Sequence, residues 1–87
     1  MGKSDKFPGS FADVAQLLLQ HGADVDSRNN SNSTPLHIAS LNGKVKVVRV
    51  LLKYGANSGA ENKDRKTPLQ LAEERGHGEI VSLLHDP

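Results

Sequence analysis

Residues 34–39 read TPLHIA, and residues 67–72, which lie 33 positions later, read TPLQLA. The same spacing relates the glycines that follow, because Gly43 precedes Gly76 by 33 residues and Gly22 precedes Gly55 by 33. It also relates three columns of apolar residues, which are Val14, Val47 and Ile80; Leu18, Leu51 and Leu84; and Leu36 with Leu69. Self-similarity at one fixed period marks a stacked repeat architecture, so the sequence predicts about two and a third repeats.

Each repeat is predicted to contain two helices joined by a tight turn. Thr34 suits a helix N-cap, and Pro35 suits the first helical position, where its missing N–H is not needed. Gly43 ends this short helix, and a longer helix is predicted from about Lys44 to Tyr54. Helix pairs of this size cannot bury their apolar faces alone, so they must stack on their neighbours. The predicted fold class is therefore all-α.

The register divides the chain into a partial repeat at 10–33, a repeat at 34–66 and a C-terminal repeat at 67–87. Residues 1–9 contain no counterpart of the Pro-Leu-x-x-Ala pattern, and we predict a disordered or tag-like leader there. Ser10 is predicted to cap the helix that follows it. The partial repeat then lacks its first helix, which indicates either a fragment of a longer array or a leader that is foreign to the repeats.

The motifs within each repeat follow one order. TPLHIA is followed by Gly43, then by paired apolar residues, and then by GAN at 55–57, while the partial repeat contains GADV at 22–25. This order resembles the ankyrin repeat, whose pattern is close to TPLHxAxxxGHxxIVxLLLxxGADV. The resemblance covers about residues 10–86. It implies an ankyrin-repeat solenoid of antiparallel helix pairs joined by β-hairpin-like loops that project at right angles.

Among the residues that depart from the family pattern, three lie at the helix start and in the connectors. Gln70 replaces the usual histidine, and Asn32 and Arg65 stand where the family usually has a hairpin glycine. Asparagine tolerates a left-handed backbone conformation, whereas arginine tolerates it poorly. We therefore predict that the second connector, which contains Arg65, adopts a different turn from the first.

Composition excludes several classes of protein. The chain has 87 residues, a formal net charge of +1 and no cysteine. The small net charge gives no overall attraction to nucleic acid or to an acidic membrane. The lack of cysteine excludes disulfides and thiolate zinc sites, and no apolar run approaches the ~20 residues of a membrane span. We predict an intracellular protein, cytoplasmic or nuclear, with no nucleic acid, no membrane, no cofactor and no metal as a partner.

No residue pattern indicates catalysis, and we predict that the chain is not an enzyme. His37 has no carboxylate or thiol at a spacing suited to a metal site, so we predict that it makes structural hydrogen bonds, as the resemblance also implies. Lys46, Arg49 and Lys53 fall on one face of the longer helix. They are interpreted as a solvated surface, because the aromatic residues that would stack on nucleic-acid bases are missing.

The resemblance implies that a protein partner binds to the hairpin tips and to the concave face of the short helices. The positions that match the family's contact sites are Asn30, Ser31, Ser33, Leu41, Asn42, Lys63, Asp64, Lys66, Glu74 and Arg75. Leu41 is singled out because it is apolar where solvent is expected. A stray exposed apolar residue is common, however, and explains Leu41 equally well.

Two functions stay open at this stage. The first is a non-catalytic protein–protein interaction module. The alternative is a structural or regulatory fragment of a larger multidomain protein, such as an enzyme. We expect the chain to be a monomer or to self-associate weakly through the uncapped ends of the stack.

Overall fold

A computed structural model describes residues 11–85, apart from the side chain of Phe11. The predicted leader and the predicted cap at Ser10 lie outside the described residues. The described part of the chain forms five α-helices and no strand, and none of these helices is long and apolar enough to cross a membrane. They are α1 (Phe11–Gln20), α2 (Pro35–Leu41), α3 (Val45–Lys53), α4 (Pro68–Arg75) and α5 (Gly78–His85). The predicted all-α class is confirmed.

The two short helices begin in the same way. The Thr34 hydroxyl accepts a hydrogen bond from the backbone N–H of His37 at 3.3 Å, and the His37 ring Nδ1 accepts one from the Thr34 N–H at 3.0 Å. Thr67 and Gln70 form the same reciprocal pair, at 3.2 and 2.9 Å. These capping boxes satisfy backbone donors that a helix start leaves unpaired. Glutamine can replace histidine here because both side chains place an acceptor three residues after the cap.

The turn after α2 requires a glycine for two reasons. Gly43 has φ of 69°, which side-chain-bearing residues rarely adopt. A Cβ added to it would lie 2.8 Å from the ring Cε1 of His77, which comes from the next repeat. The His77 Nε2 donates to the Leu41 carbonyl at 3.1 Å, so this ring sits directly against the turn. The glycine therefore allows the following repeat to approach closely.

The helices form two layers. The inner layer contains α2 and α4, which pack against each other, and the outer layer contains α1, α3 and α5. Helix α3 contacts α2 within its own repeat and contacts α1 and α5 on either side, while α5 packs on α4. The core consists of residues from α2 to α5, namely Leu36, Ala39, Val48, Leu51, Ala72 and Ile80. The solenoid arrangement of stacked helix pairs is thus confirmed.

The predicted apolar columns are more buried in the second and third repeats than in the first. Leu51 is 3% exposed, whereas its counterpart Leu18 in α1 is 56% exposed. Ile80 is fully buried, whereas Val14 in the same column is 37% exposed. The difference arises because no described helix lies beside α1 in the inner layer.

The prediction that the two connectors turn differently was also wrong. Asn32 and Arg65 both have left-handed backbones, with φ of 60° and 61°. In the first connector the Asn29 side-chain oxygen accepts from the backbone N–H groups two and four residues later, and Asn62 does the same in the second. These bonds fix the turn and offset a left-handed penalty of about 1–2 kcal/mol at Arg65. The asparagine at the start of each connector therefore determines the turn, and the left-handed position accepts either asparagine or arginine.

Candidate binding surface

The first hairpin (residues 29–33) and the second hairpin (residues 62–66) are joined edge to edge by a backbone hydrogen bond. The Lys63 N–H donates to the Ser31 carbonyl at 3.1 Å. In the first hairpin the Asn29 N–H donates to the Ser33 carbonyl, and in the second the Asn62 N–H donates to the Lys66 carbonyl, both at 3.0 Å. The tips thus form one continuous surface in which the spacing between neighbouring hairpins is set by the main chain.

Arg28 strengthens this junction. Its Nη1 donates to the Asn32 carbonyl at 2.9 Å and to the Glu61 carbonyl at 2.8 Å, so one guanidinium binds both hairpins. Nearby, the Asp26 carboxylate accepts from the backbone N–H of Asn57 at 2.9 Å. The sequence analysis predicted no contact between repeats for either side chain. The signal that could have found them is the register, because Arg28 occupies the column of Glu61 and a long donor there faces the carbonyls of the next repeat.

Four of the predicted contact residues are exposed at the hairpin tips. They are Asn30, Ser31, Lys63 and Asp64. Ser33 is different, since it is buried with only 9% of its surface exposed, and its carbonyl accepts the hydrogen bond that closes the first hairpin. Ser33 immediately precedes the buried cap of α2, and the chain turns inward there. We therefore remove Ser33 from the candidate contact set.

The remaining predicted residues lie on or beside the short helices. Leu41 is half-buried, whereas Asn42, Glu74 and Arg75 are exposed. The Asn42 amide donates to the Ile38 carbonyl at 3.0 Å, so it caps its own helix. The structure therefore brings Leu41, Glu74 and Arg75 to the short-helix layer, while the Asn42 side chain belongs to the first-repeat end of that layer.

Lys66 and Glu74 are brought into direct contact. The Lys66 Nζ lies 2.6 Å from the Glu74 Oε2, and both side chains are partly exposed. The hydrogen bond to the Glu74 carboxylate, together with the attraction of its charge, raises the pKa of the Lys66 ammonium. The Lys66 carbonyl accepts from Asn62 N–H and from the His37 Nε2 at 2.8 Å. Both the backbone and the side chain of Lys66 are therefore held in place.

His37 is part of the framework of this surface. Its ring is fully buried, and its Nδ1 accepts from Thr34 while its Nε2 donates across the repeats to Lys66. This pattern fixes the tautomer with the proton on Nε2. The predicted structural role of His37 is confirmed. Among the residues that the structure describes, no group of three or more His, Cys, Asp or Glu side chains is arranged to hold a metal ion.

A second concave feature lies at the other end of the short-helix layer. It is a groove of about 470 Å³, here called the N-terminal groove. Most of its lining is apolar and comes from α1, α2 and α3, including Val14, Ala15, Leu18, Pro35, Ile38 and Val47. Sequence reasoning gave no site here, because the groove is created by the packing of α1, α2 and α3 against one another.

A family model described as ankyrin repeats (3 copies) matches residues 6–87. The chain belongs to the ankyrin-repeat family. The match agrees with the capping boxes, the helix pairs and the joined hairpins described above. Ankyrin repeats are in general protein–protein interaction modules.

Segments of longer proteins are similar to parts of this ankyrin-repeat chain. "Protein fem-1 homolog A" of Danio rerio is 70% identical over 30 residues, which is 34% of this chain and 5% of that protein. "Alpha-latrocrustotoxin-Lt1a" of Latrodectus tredecimguttatus is 46% identical over 39 residues, 45% of this chain and 3% of the toxin. A Fowlpox virus (strain NVSL) protein named as an ankyrin repeat protein is 50% identical over 36 residues, 41% of this chain and 5% of the viral protein. Each match therefore spans a small fraction of the relative's length.

Proposed function

We propose that this chain is a non-catalytic module that binds a protein partner through its hairpin tips and the concave face of its short helices. The observation that carries the proposal is the rigid junction of the hairpins. Ser31 and Lys63 are joined through the main chain, and Arg28 binds both hairpins. A surface that is ordered before binding loses less conformational entropy when a partner docks.

The chemistry of this surface favours a partner with mixed polarity. The first hairpin offers neutral hydrogen-bonding groups at Asn30 and Ser31, and the second offers both signs of charge at Lys63 and Asp64. Beside them, the Lys66–Glu74 pair presents both charges within hydrogen-bond distance. We expect a polar, charge-alternating partner segment, with net charge contributing little to selectivity.

Within this surface we expect a few residues to dominate the binding energy, as in most protein interfaces. Leu41 is the apolar member of the set, and its half-buried position lets a partner cover it without unfolding α2. Lys63 lies at the tip of the second hairpin, and Lys66 lies at its end. The Asn42 side-chain amide donates to a carbonyl of its own helix, so we expect Asn42 to contribute less to the binding energy.

The wider functional assignments are proposals as well. We propose that the chain uses no cofactor or metal, is not an enzyme, and binds neither nucleic acid nor membrane. We place it inside the cell, in the cytoplasm or the nucleus, because ankyrin-repeat proteins are commonly intracellular. The division into repeats at 10–33, 34–66 and 67–87 is proposed on the register of the sequence.

The test compares two triple variants in affinity capture followed by measurement of Kd for the recovered partner. The first changes Leu41, Lys63 and Lys66 to alanine, and the second, a control on α3, changes Lys46, Arg49 and Lys53 to glutamine. We expect the first to weaken binding at least about tenfold, because interface anchors each contribute more than about 1 kcal/mol. The control should change mainly the salt dependence of association. If the α3 variant abolished binding and the first variant did nothing, the proposed surface would be wrong.

A second function has separate support. The matched segments make up only 3–5% of the relatives' lengths, which favours a structural or regulatory piece of a larger multidomain protein, such as an enzyme. The test is the transcript that contains this coding sequence. Further repeats or a catalytic domain in the same reading frame would favour this second function over a free-standing module.

A further inference from the structure

The turn that ends α2 contains the single asparagine–glycine pair of the sequence, Asn42 followed by Gly43. In such a pair the next backbone nitrogen can attack the carbon of the asparagine side-chain amide, and glycine has no Cβ to obstruct the approach. The other asparagines are each followed by a residue with a side chain; they are Asn29, Asn30, Asn32, Asn57 and Asn62. The sequence therefore singles out Asn42 for this reaction.

The two reacting groups are accessible. Asn42 is exposed. The backbone N–H groups on either side are bonded, since Asn42 donates to the Ile38 carbonyl at 3.1 Å and Lys44 donates to the Ala39 carbonyl at 2.9 Å. The Gly43 N–H has no hydrogen-bond acceptor in the described part of the chain. The attacking nitrogen is thus not held by a bond of its own.

The exposure of this position belongs to the repeat itself. Arg75 occupies the same column as Asn42, one repeat later, at the end of α4. It is exposed as well, although α2 packs against α4. An inner helix on the preceding side therefore does not bury this position.

The folded turn nevertheless holds the reacting atoms apart. Asn42 has ψ of 5°, which eclipses the Gly43 nitrogen with the Asn42 nitrogen rather than with the Asn42 Cβ, as closure of a five-membered ring requires. The Asn42 side-chain amide is also bound, since it donates to the Ile38 carbonyl at 3.0 Å. The preceding peptide is anchored by the bond from His77 Nε2 to the Leu41 carbonyl, at 3.1 Å. The reaction therefore requires this turn to open.

We propose that Asn42 is the site of spontaneous deamidation in this chain, and that the fold sets its rate by holding the turn after α2 closed. The Gly43 nitrogen bonds to the Asn42 Cγ, the bond from Cγ to Nδ2 breaks, and the Gly43 amide proton leaves with that nitrogen as ammonia. Water then adds to one carbonyl of the cyclic imide and breaks its bond to nitrogen. The products are aspartate and isoaspartate.

The product changes the turn in two ways. The side-chain amide that donates to the Ile38 carbonyl is lost, and a carboxylate takes its place at the C-terminal end of α2, where the helix dipole disfavours negative charge. The formal net charge of +1 falls by one unit. Asn42 also belongs to the candidate contact set, and any effect on partner binding rests on the proposed function, whereas the reaction does not.

The test follows the full-length chain at mildly alkaline pH over several weeks, in native buffer and in denaturing urea. Trypsin releases residues 29–44, which contain Asn42 and the asparagines of the first hairpin, and residues 54–63, which contain Asn57 and Asn62. Fragmentation in the mass spectrometer assigns each deamidation to one residue. We expect Asn42 to react first in urea, and to react about tenfold or more slowly in native buffer, because the open turn is a minor state there.

A matched pair of substitutions in α3 tests the control by the fold. Leu51 is buried in the core, so Leu51→Ala should increase the open population and accelerate the reaction in native buffer. Lys53→Ala, at an exposed position of the same helix, should leave that rate unchanged. Both variants should match the unsubstituted chain in urea, where no fold remains. Asn42→Gln should remove the early product altogether.

Three results would overturn the proposal. The first is deamidation of Asn30 or Asn57 ahead of Asn42 in urea, which would refute the site. The second is an equal rate at Asn42 in native buffer and in urea, or a native rate that Leu51→Ala does not change, which would refute control by the fold. The third is the absence of product at Asn42 in native buffer from both the unsubstituted chain and Leu51→Ala. None of these measurements involves a partner, so their failure would leave the proposed function standing.

Discussion

Leu18 and Leu51 occupy equivalent positions in successive repeats, yet Leu18 is exposed and Leu51 is buried. Leu51 is enclosed by the core of α2 to α5, whereas Leu18 lies on a helix that has no described inner neighbour. The local sequence around the two leucines is similar, so the difference comes from stacking alone. Burial in this fold is therefore a property of adjacent repeats, and a repeat is stable only to the extent that its neighbours cover it.

The largest effect should come from this matched pair. Leu51→Ala removes a buried side chain and should lower the free energy of unfolding by about 2–5 kcal/mol. Leu18→Ala, at an exposed site of the same column, should change it by about 0.5 kcal/mol. Urea denaturation followed by circular dichroism measures both. Equal losses for the two variants would mean that α1 is covered in solution, and the contrast between the two ends would be lost.

The next effect tests how closely the repeats approach. Gly43→Ala and Gly55→Ala both place a Cβ on a left-handed backbone, which costs about 1–2 kcal/mol. Only Gly43 meets a neighbour, because nothing lies within 4 Å of a Cβ at Gly55. Gly43→Ala should cost about 1 kcal/mol more, since His77 must shift and lose its bond to Leu41. In a His77→Ala background this excess should disappear, and its persistence would show that the clash is not with His77.

A smaller effect should separate the two roles of His37. His37→Ala removes the helix cap and the cross-repeat bond to Lys66, and should cost about 1–2 kcal/mol. His37→Gln keeps an acceptor for the cap, as Gln70 does in α4, and should cost about half as much. Thermal melting of both variants is the measurement. If His37→Gln were as damaging as His37→Ala, the cap would contribute little and the cross-repeat bond would account for the whole effect.

The next substitution should stabilise the chain. The Ser40 hydroxyl is fully buried in α2 and has no hydrogen-bond partner among the described residues. Ser40→Ala removes this unpaired group and suits a helix interior, so we expect a gain of about 0.5–1 kcal/mol. Ser82→Ala, at an exposed position of α5, is the control for helix propensity alone. A loss of stability on Ser40→Ala would reveal a hydrogen bond to that hydroxyl.

The smallest effect concerns the exposed Lys66–Glu74 pair. Its contact raises the pKa of Lys66, so the contribution to stability is present at neutral pH and is lost as the pH rises through the alkaline range. The pair is well exposed, so solvent screens it and the loss should be slight. NMR titration of the Lys66 side chain should show a lower pKa in the Glu74→Gln variant. An unchanged pKa would mean that the two side chains do not stay in contact in solution.

Short-range sequence patterns were sufficient to predict most of the fold. The period of 33, the threonine–proline starts and the glycine stops are short-range signals, and they placed α2 and α3 within about two residues. The resemblance to the ankyrin repeat implied the hairpin tips, and Asn30 and Lys63 are indeed exposed there.

Contacts between repeats could not be predicted from those patterns. The left-handed Arg65 is held by bonds to Asn62, and the burial of Ser33 depends on where the chain turns inward. The bridge from Arg28 to Glu61 requires knowledge of how adjacent hairpins align. The groove beside α1 is likewise a feature of three-dimensional packing between α1, α2 and α3.

The measurement that tests the central claim most directly is amide hydrogen exchange of the free chain under native conditions. If stacking on neighbours stabilises each repeat, the amides of α1 should exchange faster, through a partial opening, than those of α3, which has neighbours on both sides. The slowest amides should lie in α2, α3 and α4 and report global unfolding, which we expect near the low end of the ~5–15 kcal/mol range. Protection of α1 equal to that of α3 would contradict the account, because it would show that the first repeat is as well covered as the second.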